Sequence, residues 1–475
     1  MPHFKSYELD QIFLMPPSIR DWLPEEHLAN FISDVVDEMD LSAFYRAYAG
    51  EDDRGRPAYQ PVMLVKLLLY AYCTGKPSSR KIEKATYEDV AYRILAANQH
   101  PDHDTIAAFR RRHLQDLAAL FLQVLALCQE SGLVKLGHVA LDGTKIKANA
   151  SKHKAMSYDR MCETEKKLVE EIARLLKLAE EVDVAEDQQI GKGKSETDLP
   201  AELARRESRL AKIREAKQAL EEEAKARAEA QAEEARAKIE ERKRQEQETG
   251  KKLGGSQPKI PEPEEAKPEP KAQRNFTDPD SRIMKDGSSK GFEQAYNAQI
   301  VVDGEAQVIV AADLTQEAND KQQLVPMLLK VEENTGQEPE KASADSGYFS
   351  EKNITSEQLK NVDLYVPPDR QKHGQQENIV AGTADPTLTI QDQMRHKLRT
   401  ADGQAVYKLR KAIVEPVFGQ IKEARGLRRF SFRGKLNVRA EWLIICLTHN
   451  LLKLFRAVVS PQGTPNGLRT CCVPA

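Results

Sequence analysis

A long charged segment interrupts a series of strand-like segments and limits what this chain can fold into. Residues from Tyr158 to Lys252 are nearly all Ala, Glu, Lys, Arg, Leu and Gln, a composition typical of long helices. Gly191, Gly193 and Pro200 divide this region into two predicted helices, and a stiff proline-rich linker follows. Apolar residues thin to alanines after Leu220, which predicts weak packing of the second helix. The compact fold must therefore be built from the flanking segments.

Those flanking segments predict a mixed sheet. HVALDG precedes the charged region, and QAYNAQIVVDG and QVIVAADLT follow it, joined by Asp303-Gly304, a strong hairpin signal. A helical stretch, a short strand ending at Asp345, another helical stretch and the run VDLYVPP come next. The order β, insertion, β, β, α, β, α, β is that of a ribonuclease H-like α/β fold with about five strands. The sheet closes only if residues 153–274 form an insertion.

The first part of the chain predicts an all-α region. Apolar positions recur at three-to-four spacing between Leu14 and Cys128. Within it, a Ser pair can cap one short helix, and a second helix is predicted to open at Asp104-Thr105 and to carry three consecutive arginines, Arg110 to Arg112. This layout resembles a helix-turn-helix. Ordinary helical packing with a solvated arginine cluster is an equally good interpretation.

Charge and cysteine usage narrow the class of protein. The 71 basic and 74 acidic residues nearly cancel, so a nucleic-acid surface requires segregated charge. Such segregation is present between Tyr407 and Arg456, where twelve Lys or Arg face three acids. The six cysteines have neither metal-ligand spacing nor a secreted framework, which predicts a reduced, cytosolic protein. No apolar run reaches the ~18 residues of a membrane span, and no signal peptide is expected.

Three separated carboxylates predict metal-dependent chemistry on DNA. Asp142 and Asp345 are expected at the ends of neighbouring strands, and Glu415 on a later helix. Attack on a phosphodiester needs charge neutralisation at phosphorus, which two hard cations bound by carboxylates can supply. Each residue alone also fits a turn or a helix-surface charge. Glu415 stands in the apolar run AIVEPVF, where a carboxylate usually has a cation partner.

The basic segment around Glu415 supplies candidate phosphate contacts. Lys422 and Arg425 follow Glu415 by seven and ten residues, which places the three on about the same helix face. Further candidates are Arg428, Arg429 and Arg433, interleaved with Phe430 and Phe432. The phenylalanines are either part of this contact surface or simply core residues. His449 and Asn450 are interpreted as packing or capping groups.

Together, these segments resemble a known family. VALDGTKIKANAS, KASADSGYFS, YKLRKAIVEPVFGQIK, RGLRRFSFRGK and HNLLKL look like the DDE transposases of bacterial insertion sequences, closest to the insertion sequence eleven eighty-two group. PAYQPVMLVKLLLYAYCTG and SSRKIE look like the helical N-terminal domain of such transposases. The resemblance spans roughly residues 10 to 457, apart from the charged insertion.

The family signature around the glutamate is Tyr, two residues, Arg, three residues, Glu, six residues, Lys. Glu415 and Lys422 fit it, but Tyr407 and Arg410 precede Glu415 by one residue too many, and Lys411 occupies the literal arginine position. One residue turns a helix by ~100°. Either Arg410 or Lys411 therefore faces DNA.

The resemblance implies a function and a set of partners. Asp142, Asp345 and Glu415 would hold two Mg²⁺ ions, for which Mn²⁺ can substitute, and would catalyse cleavage at element ends followed by strand transfer. The partner would be double-stranded DNA bound by a homodimer, in the cytoplasm at the nucleoid, without a membrane. Alternatives are a ribonuclease H-like endonuclease that does not join strands, or a catalytically inactive DNA-binding coiled-coil protein.

Four regions are predicted: a helical DNA-binding domain (10–130), a catalytic domain (135–152 plus 275–457), a helical hairpin insertion with its proline-rich linker (153–274) and a loose tail (458–475). The insertion is either a dimerisation or DNA-spanning arm, or merely a solvated hairpin.

Overall fold

The computed structural model describes residues 18–48, 57–189, 199–249, 258–285, 291–370, 379–382, 385 and 387–459. The chain divides into two compact units, which are described separately. Unit 1 comprises Met1–Ile146 and Asn297–Ala475, and unit 2 comprises Lys147–Tyr296. The predicted tail from residue 460 onwards lies outside the described residues. The domain boundaries given above stay predictions.

The helices, in chain order, are α1 Leu28–Asp37, α2 Ser42–Arg46, α3 Pro61–Cys73, α4 Ser79–Glu88, α5 Val90–Leu95, α6 His103–Arg112, α7 Leu114–Glu130, α8 Tyr158–Gln189, α9 Leu199–Thr249, α10 Leu324–Thr335, α11 Glu351–Ile354, α12 Ile390–Arg399, α13 Ala401–Gly419 and α14 Lys435–Val459. The strands are β1 Val139–Lys147, β2 Ala155–Ser157, β3 Gln273–Asn275, β4 Arg282–Lys285, β5 Phe292–Asp303, β6 Ile309–Thr315, β7 Lys341–Ser343 and β8 Asp363–Tyr365.

The mixed sheet of unit 1 has the predicted sequence of strands and helices. β1 lies between β5 and β7, β8 follows β7, and β6 pairs with β5. β1, β7 and β8 are parallel, whereas β5 and β6 form the antiparallel hairpin predicted at Asp303-Gly304. Most of β5 and β6 is buried, which explains their β-branched runs. The sheet therefore sets the end of β7 beside the first half of β1, which continues beyond it to Lys147.

The N-terminal region is all-α, as predicted, and packs in the same unit as the sheet. α3 is apolar almost all round because it is buried on nearly every side, and Pro61 opens it at a position that needs no backbone donor. α4, α5 and α6 form the predicted short-helix layout, with a break at Ala97 and Asn98, whose φ values are 48° and 59°. The start of α6 differs from the prediction, because Asp102 caps it by accepting a 2.7 Å bond from the Thr105 amide.

Helix α14 is the central element of unit 1. It packs against α3, α7 and β6, and its buried polar residues are hydrogen-bonded. Asn450 accepts a bond from the Ile309 amide and donates one to the Ile309 carbonyl, both 2.8 Å long. The nitrogens of His449 lie 3.0 Å from the Gln307 carbonyl and from Gln420 Oε1. The interpretation of these two residues as packing groups agrees with their positions.

Within the described part of the chain, α14 is also the one helix long and apolar enough to cross a membrane, by length and composition alone. The expectation of no such apolar run was therefore wrong. Residues of α14 are buried along most of its length, including Trp442, Ile445 and Leu451. This is the position of a core helix.

Unit 2 contains two long helices on a small two-stranded base. β2 pairs antiparallel with β3, and the Tyr158 amide donates to the Ala272 carbonyl over 2.8 Å, so the two ends of the hairpin emerge together. α8 and α9 share an apolar cluster that includes Met161, Leu168 and Ile213. Three alanines beyond Leu220 are also buried: Ala228, Ala232 and Ala235. The packing face of α9 therefore continues past the point where the apolar stripe was expected to thin.

Excision of the hairpin tests whether it is needed for folding. Replacing Asp159 to Pro270 with a short Gly-Ser linker should leave a protein that unfolds cooperatively, because the β2–β3 base closes the gap and short loops cost little entropy. Thermal unfolding followed by circular dichroism would measure this. A chain that is insoluble, or that lacks a transition, would show that the hairpin belongs to the core.

Burial of His449 predicts a pH dependence of stability. The pKa of His449 is lowered to about 3, mainly by burial and also by the nearby positive charge of Arg425. The unfolded chain protonates this residue near pH 6.5, so the native state loses stability as the pH falls below that value, by about 2 kcal/mol at pH 5. Urea denaturation at pH 7 and pH 5 would measure the loss. His449→Gln should be less stable at pH 7 but should have a smaller difference between the two pH values; equal differences would contradict the assignment.

Candidate active site

The pairing of β1 with β7 brings Asp142 and Asp345 close together. The register pairs Val139 with Ala342 and Ala140 with Ser343; Asp142 follows within β1, and Asp345 lies two residues beyond the end of β7. The expectation that Asp142 ends its strand was wrong, because β1 continues to Lys147. Adjacent strands are about 4.8 Å apart, so the two carboxylates share one edge of the sheet. Asp345 also caps the 3-10 turn that follows β7, accepting a 2.8 Å bond from the Gly347 amide.

Burial and two neighbouring carboxylates act on Asp142 together. Burial raises the pKa of Asp142 to about 6, the Arg410 guanidinium opposes this rise, and the charges of Asp345 and Asp320 add to it. The Gly143 amide donates to Asp142 Oδ1 over 2.8 Å. The site is therefore a partly desolvated, negatively charged edge, the setting in which perturbed carboxylates serve function.

Arg410 is the cation that faces this edge. Its Nη1 atom lies 3.2 Å from Asp142 Oδ2, and its guanidinium lies 5.8 Å from the centroid of the Tyr407 ring. Arg410 is 8% exposed, whereas Lys411 is exposed, which resolves the ambiguity of the one-residue offset. The predicted DNA contact of Arg410 is wrong in this structure, because burial takes the guanidinium out of reach of a surface-bound strand. Tyr407 is half-buried beside it.

Glu415 does not join the two aspartates. It is exposed on α13, and five residues at ~100° each place it about 140° around the helix from Arg410. Among the residues that the structure describes, no three His, Cys, Asp or Glu side chains are spaced to hold one metal ion. The role of Glu415 as the third carboxylate stays a prediction.

Asp320 is the acidic neighbour that the sequence analysis missed. Its Oδ1 atom accepts bonds from Asn297 Nδ2 (2.5 Å) and Gln299 Nε2 (2.7 Å), and Lys145 Nζ lies 3.5 Å away. A signal was present, since Asn297 and Gln299 alternate on one face of an otherwise apolar strand. Polar side chains at buried positions of a strand indicate a partner across the sheet face.

The donor chemistry of this edge fits a hard divalent cation. Asp142 and Asp345 offer carboxylate oxygens, which are the ligands that Mg²⁺ prefers. Desolvation and the charges of neighbouring carboxylates disfavour the charged form of Asp142, as its raised pKa indicates, and a bound cation would relieve both effects. The two aspartates therefore suit a metal centre.

The two residues predicted to contact phosphate beside Glu415 have structural partners. Lys422 lies in the π-helical turn Gln420–Ala424 and donates to Thr144 Oγ1 and, over 3.1 Å, to the Lys145 carbonyl of β1. Arg425 is buried and donates to Thr448 Oγ1 (2.8 Å) and to the Ile445 carbonyl (3.3 Å) of α14. Burial lowers the pKa of Arg425 to about 10. The predicted phosphate contact of Arg425 is therefore wrong, because its guanidinium ties this turn to the core.

The remaining basic residues divide between surface and core. Arg428, Arg429 and Arg433 are exposed, and Arg428 forms an ion pair with Glu423. Of the phenylalanines between them, Phe430 is a core residue that packs edge-on against Trp442, whereas Phe432 is half-buried beneath a guanidinium. These three arginines thus form an exposed basic strip beside an apolar base.

The guanidinium above Phe432 belongs to Arg110, 5.3 Å from the ring centroid. Arg110 also donates to the Pro77 carbonyl over 2.6 Å and to Ser79 Oγ over 3.4 Å. It therefore holds α6 against α4 and the C-terminal segment, and its predicted DNA contact stays a prediction. Arg111 is exposed, so its predicted DNA contact stays open.

Comparisons with known proteins identify two domains. Residues 17–112 match the family model described as a transposase domain (DUF772), and residues 264–451 match the model described as a transposase DDE domain. The second match includes Asp320, Asp345 and Glu415 but begins after Asp142. No curated protein and no solved structure matches the chain significantly. A DDE domain implies a ribonuclease H-like α/β fold and, in general, the use of divalent metal ions.

The contrast between Arg425 and the exposed arginines predicts two separable effects. Arg425→Ala should lower the free energy of unfolding by about 2–4 kcal/mol, because it leaves a cavity and unsatisfied carbonyls on α14. Arg428→Ala should change it by less than about 0.5 kcal/mol. Urea denaturation would measure both.

For DNA binding, the exposed arginines should have the larger effect. Replacing Arg428, Arg429 and Arg433 together by alanine should reduce the salt dependence of DNA binding by up to about one unit of slope per arginine. Fluorescence anisotropy over a salt series would measure the slope. An unchanged slope would remove the basic strip from the DNA surface.

Proposed function

Because the chain belongs to the DDE transposases of insertion sequences, enzymes that act on DNA phosphodiester bonds, we propose that it cleaves DNA at the ends of its element. In the proposed reaction, the released 3′-hydroxyl then attacks target DNA, and both steps depend on Mg²⁺. No covalent protein–DNA intermediate is required. The observation that supports this most directly is that the β1–β7 pairing brings Asp142 and Asp345 close enough for the charge of Asp345 to act on Asp142.

Asp142 and Asp345 would hold the divalent cation, with Glu415 as the proposed third carboxylate. We propose two Mg²⁺ ions, for which Mn²⁺ can substitute. When bound, such ions neutralise charge at the phosphate and stabilise the attacking and leaving oxygens. Glu415 is exposed on α13, so its carboxylate is accessible to solvent.

Side chains around the aspartates would keep them ionised and in position to bind the cation. Arg410 opposes the effect of burial on the pKa of Asp142, which keeps a large fraction of that carboxyl ionised at neutral pH. Lys422 fixes the turn after α13 to β1 beside the site. Tyr348 is buried beneath it and donates to Gln299 Oε1, so it supports the side chains that surround the aspartates.

The DNA partner would be double-stranded, at element ends and at the target. Arg428, Arg429 and Arg433 are proposed to contact phosphates, which would give affinity without reading sequence. Two element ends must be held together, so we propose a homodimer on DNA. The α8–α9 hairpin is either an arm that reaches the second subunit or a solvated hairpin. We place the protein in the cytoplasm, at the nucleoid.

Isosteric replacement of each carboxylate tests the metal ligands. Asp142→Asn, Asp345→Asn and Glu415→Gln should each slow Mg²⁺-dependent nicking of an element end by about a thousandfold, because losing a ligand costs the transition state several kcal/mol. DNA affinity should stay nearly unchanged, since the phosphate contacts lie elsewhere. Glu351→Gln, an exposed residue at the start of α11, serves as the control with the same charge change.

The products separate transposition from simple cleavage. A wild-type nicking rate in any of the three variants would remove that residue from the centre. Strand-joined products from wild-type protein and a pre-cleaved end would support transposition, whereas nicking without joining would indicate an endonuclease.

A further inference from the structure

Asp320 is held beside the two aspartates by the sheet itself. It lies in the connection between β6 and α10, and both of its amide donors, Asn297 and Gln299, belong to β5, the neighbour of β1. Their bonds to Oδ1 are 2.5 and 2.7 Å long. The carboxylate is therefore positioned by a strand of the central sheet, although its own backbone lies in a loop.

Two glycines make room for this carboxylate. A Cβ atom on Gly143 would lie 3.0 Å from Asp320 Oδ1 and would overlap Gln299 Nε2. A Cβ atom on Gly347 would lie 3.0 Å from Asp345 Oδ1 and 3.8 Å from Asp320 Oδ2. Gly143 directly follows Asp142, and Gly347 is two residues after Asp345. The absence of these two side chains lets the Asp320 oxygens approach both catalytic segments.

Asn297 adds an oxygen that has no hydrogen-bond partner. The residue is fully buried, and its Oδ1 atom lies 3.0 Å from the position of a Cβ on Gly143. Its Nδ2 atom donates to Asp320 and, over 3.0 Å, to the Glu317 carbonyl. Two acceptors on the nitrogen side fix the orientation of the amide, so the oxygen must face the Asp142 segment. A buried, unpaired amide oxygen is costly unless a cation or a cation-bound water meets it.

Charge at the edge also favours a cation. Arg410 pairs with Asp142, and Lys145 lies near Asp320, so two positive side chains face three carboxylates. The edge keeps a net negative charge. The unpaired oxygen of Asn297 adds the negative end of an amide dipole, which also favours a cation. A dication between these groups would replace repulsion by attraction.

From these contacts we propose that Asp320 is a positioning residue: it fixes the Asn297 amide so that the unpaired Asn297 oxygen can act as a donor to the divalent cation held by Asp142 and Asp345. The inference rests on the proposed function, since it concerns the same metal centre. It assigns a residue outside the predicted set of Asp142, Asp345 and Glu415.

Mn²⁺ binding to the full-length protein tests the assignment without relying on activity. The fraction of free Mn²⁺ would be followed by electron paramagnetic resonance during titration. Asp320→Asn should weaken Mn²⁺ binding by about tenfold or more, because a neutral amide holds Asn297 less firmly than a carboxylate does. Glu317→Gln, three residues earlier in the same loop and exposed, is the matched control and should stay within about twofold of wild type.

The outcomes distinguish the role of Asp320 from the existence of the metal centre itself. If Asp142→Asn and Asp345→Asn weaken Mn²⁺ binding but Asp320→Asn does not, the metal centre stands and the assignment of Asp320 is overturned. If none of the three weakens it, the metal centre itself is wrong.

A second variant guards against loss of folding, which circular dichroism would reveal. Asp320→Glu keeps the charge but moves the carboxylate by one methylene. It should also weaken Mn²⁺ binding, and unchanged binding in a folded Asp320→Glu protein would overturn the proposal.

Discussion

Two like charges brought together by a pair of parallel strands are the constraint that organises this protein. The β1–β7 register brings Asp142 and Asp345 together whatever the surrounding side chains are. Their repulsion and their partial burial must then be offset locally. Arg410 is drawn into the interior to pair with Asp142, and the Gly143 amide donates to the same carboxylate. The polar face of β5 and the glycine after Asp142 follow from the same need for room and donors at this edge.

Helix α14 connects this sheet to the rest of unit 1 through satisfied buried polar groups. Asn450 pairs with both backbone groups of Ile309 at the start of β6. Glu441 accepts bonds from the Tyr72 hydroxyl of α3 and from the amides of Ser431 and Phe432. A buried carboxylate with three donors is tolerated because each donor replaces a lost water. The N-terminal helices and the basic strip are thereby tied to the helix that also covers the catalytic sheet.

The packing beneath the exposed arginines bears on the proposed DNA contacts. The exposed arginines Arg428, Arg429 and Arg433 alternate with Phe430, which is buried in the core, and with Phe432, which lies against a guanidinium, so the proposed phosphate contacts have a packed base. Arg110, in the helical region, supports that base from the other side. A change in the packing of the N-terminal helices would therefore move the basic strip, which couples the two matched transposase domains through packing rather than through a flexible linker.

The elements and their order could be predicted from the sequence alone, because these depend on local periodicity and on turn chemistry. The strands, the hairpin at Asp303-Gly304 and the helix carrying Glu415 could all be placed in this way. The sequence also indicated that the two aspartate segments belong to neighbouring strands, but not that β1 continues past Asp142 to Lys147.

Only the tertiary structure decided which way long side chains on α13 and the turn after it point. One residue of offset rotates a helix position by ~100°, so Arg410 rather than Lys411 meets Asp142, while Glu415 faces away. Arg425 looked like a phosphate contact because its charge is visible in the sequence, whereas its burial against Ile445 and Thr448 is not. Asp320 was hidden for the same reason. Its role depends on donors from β5, and a local sequence pattern does not predict which loop will lie beside a given strand.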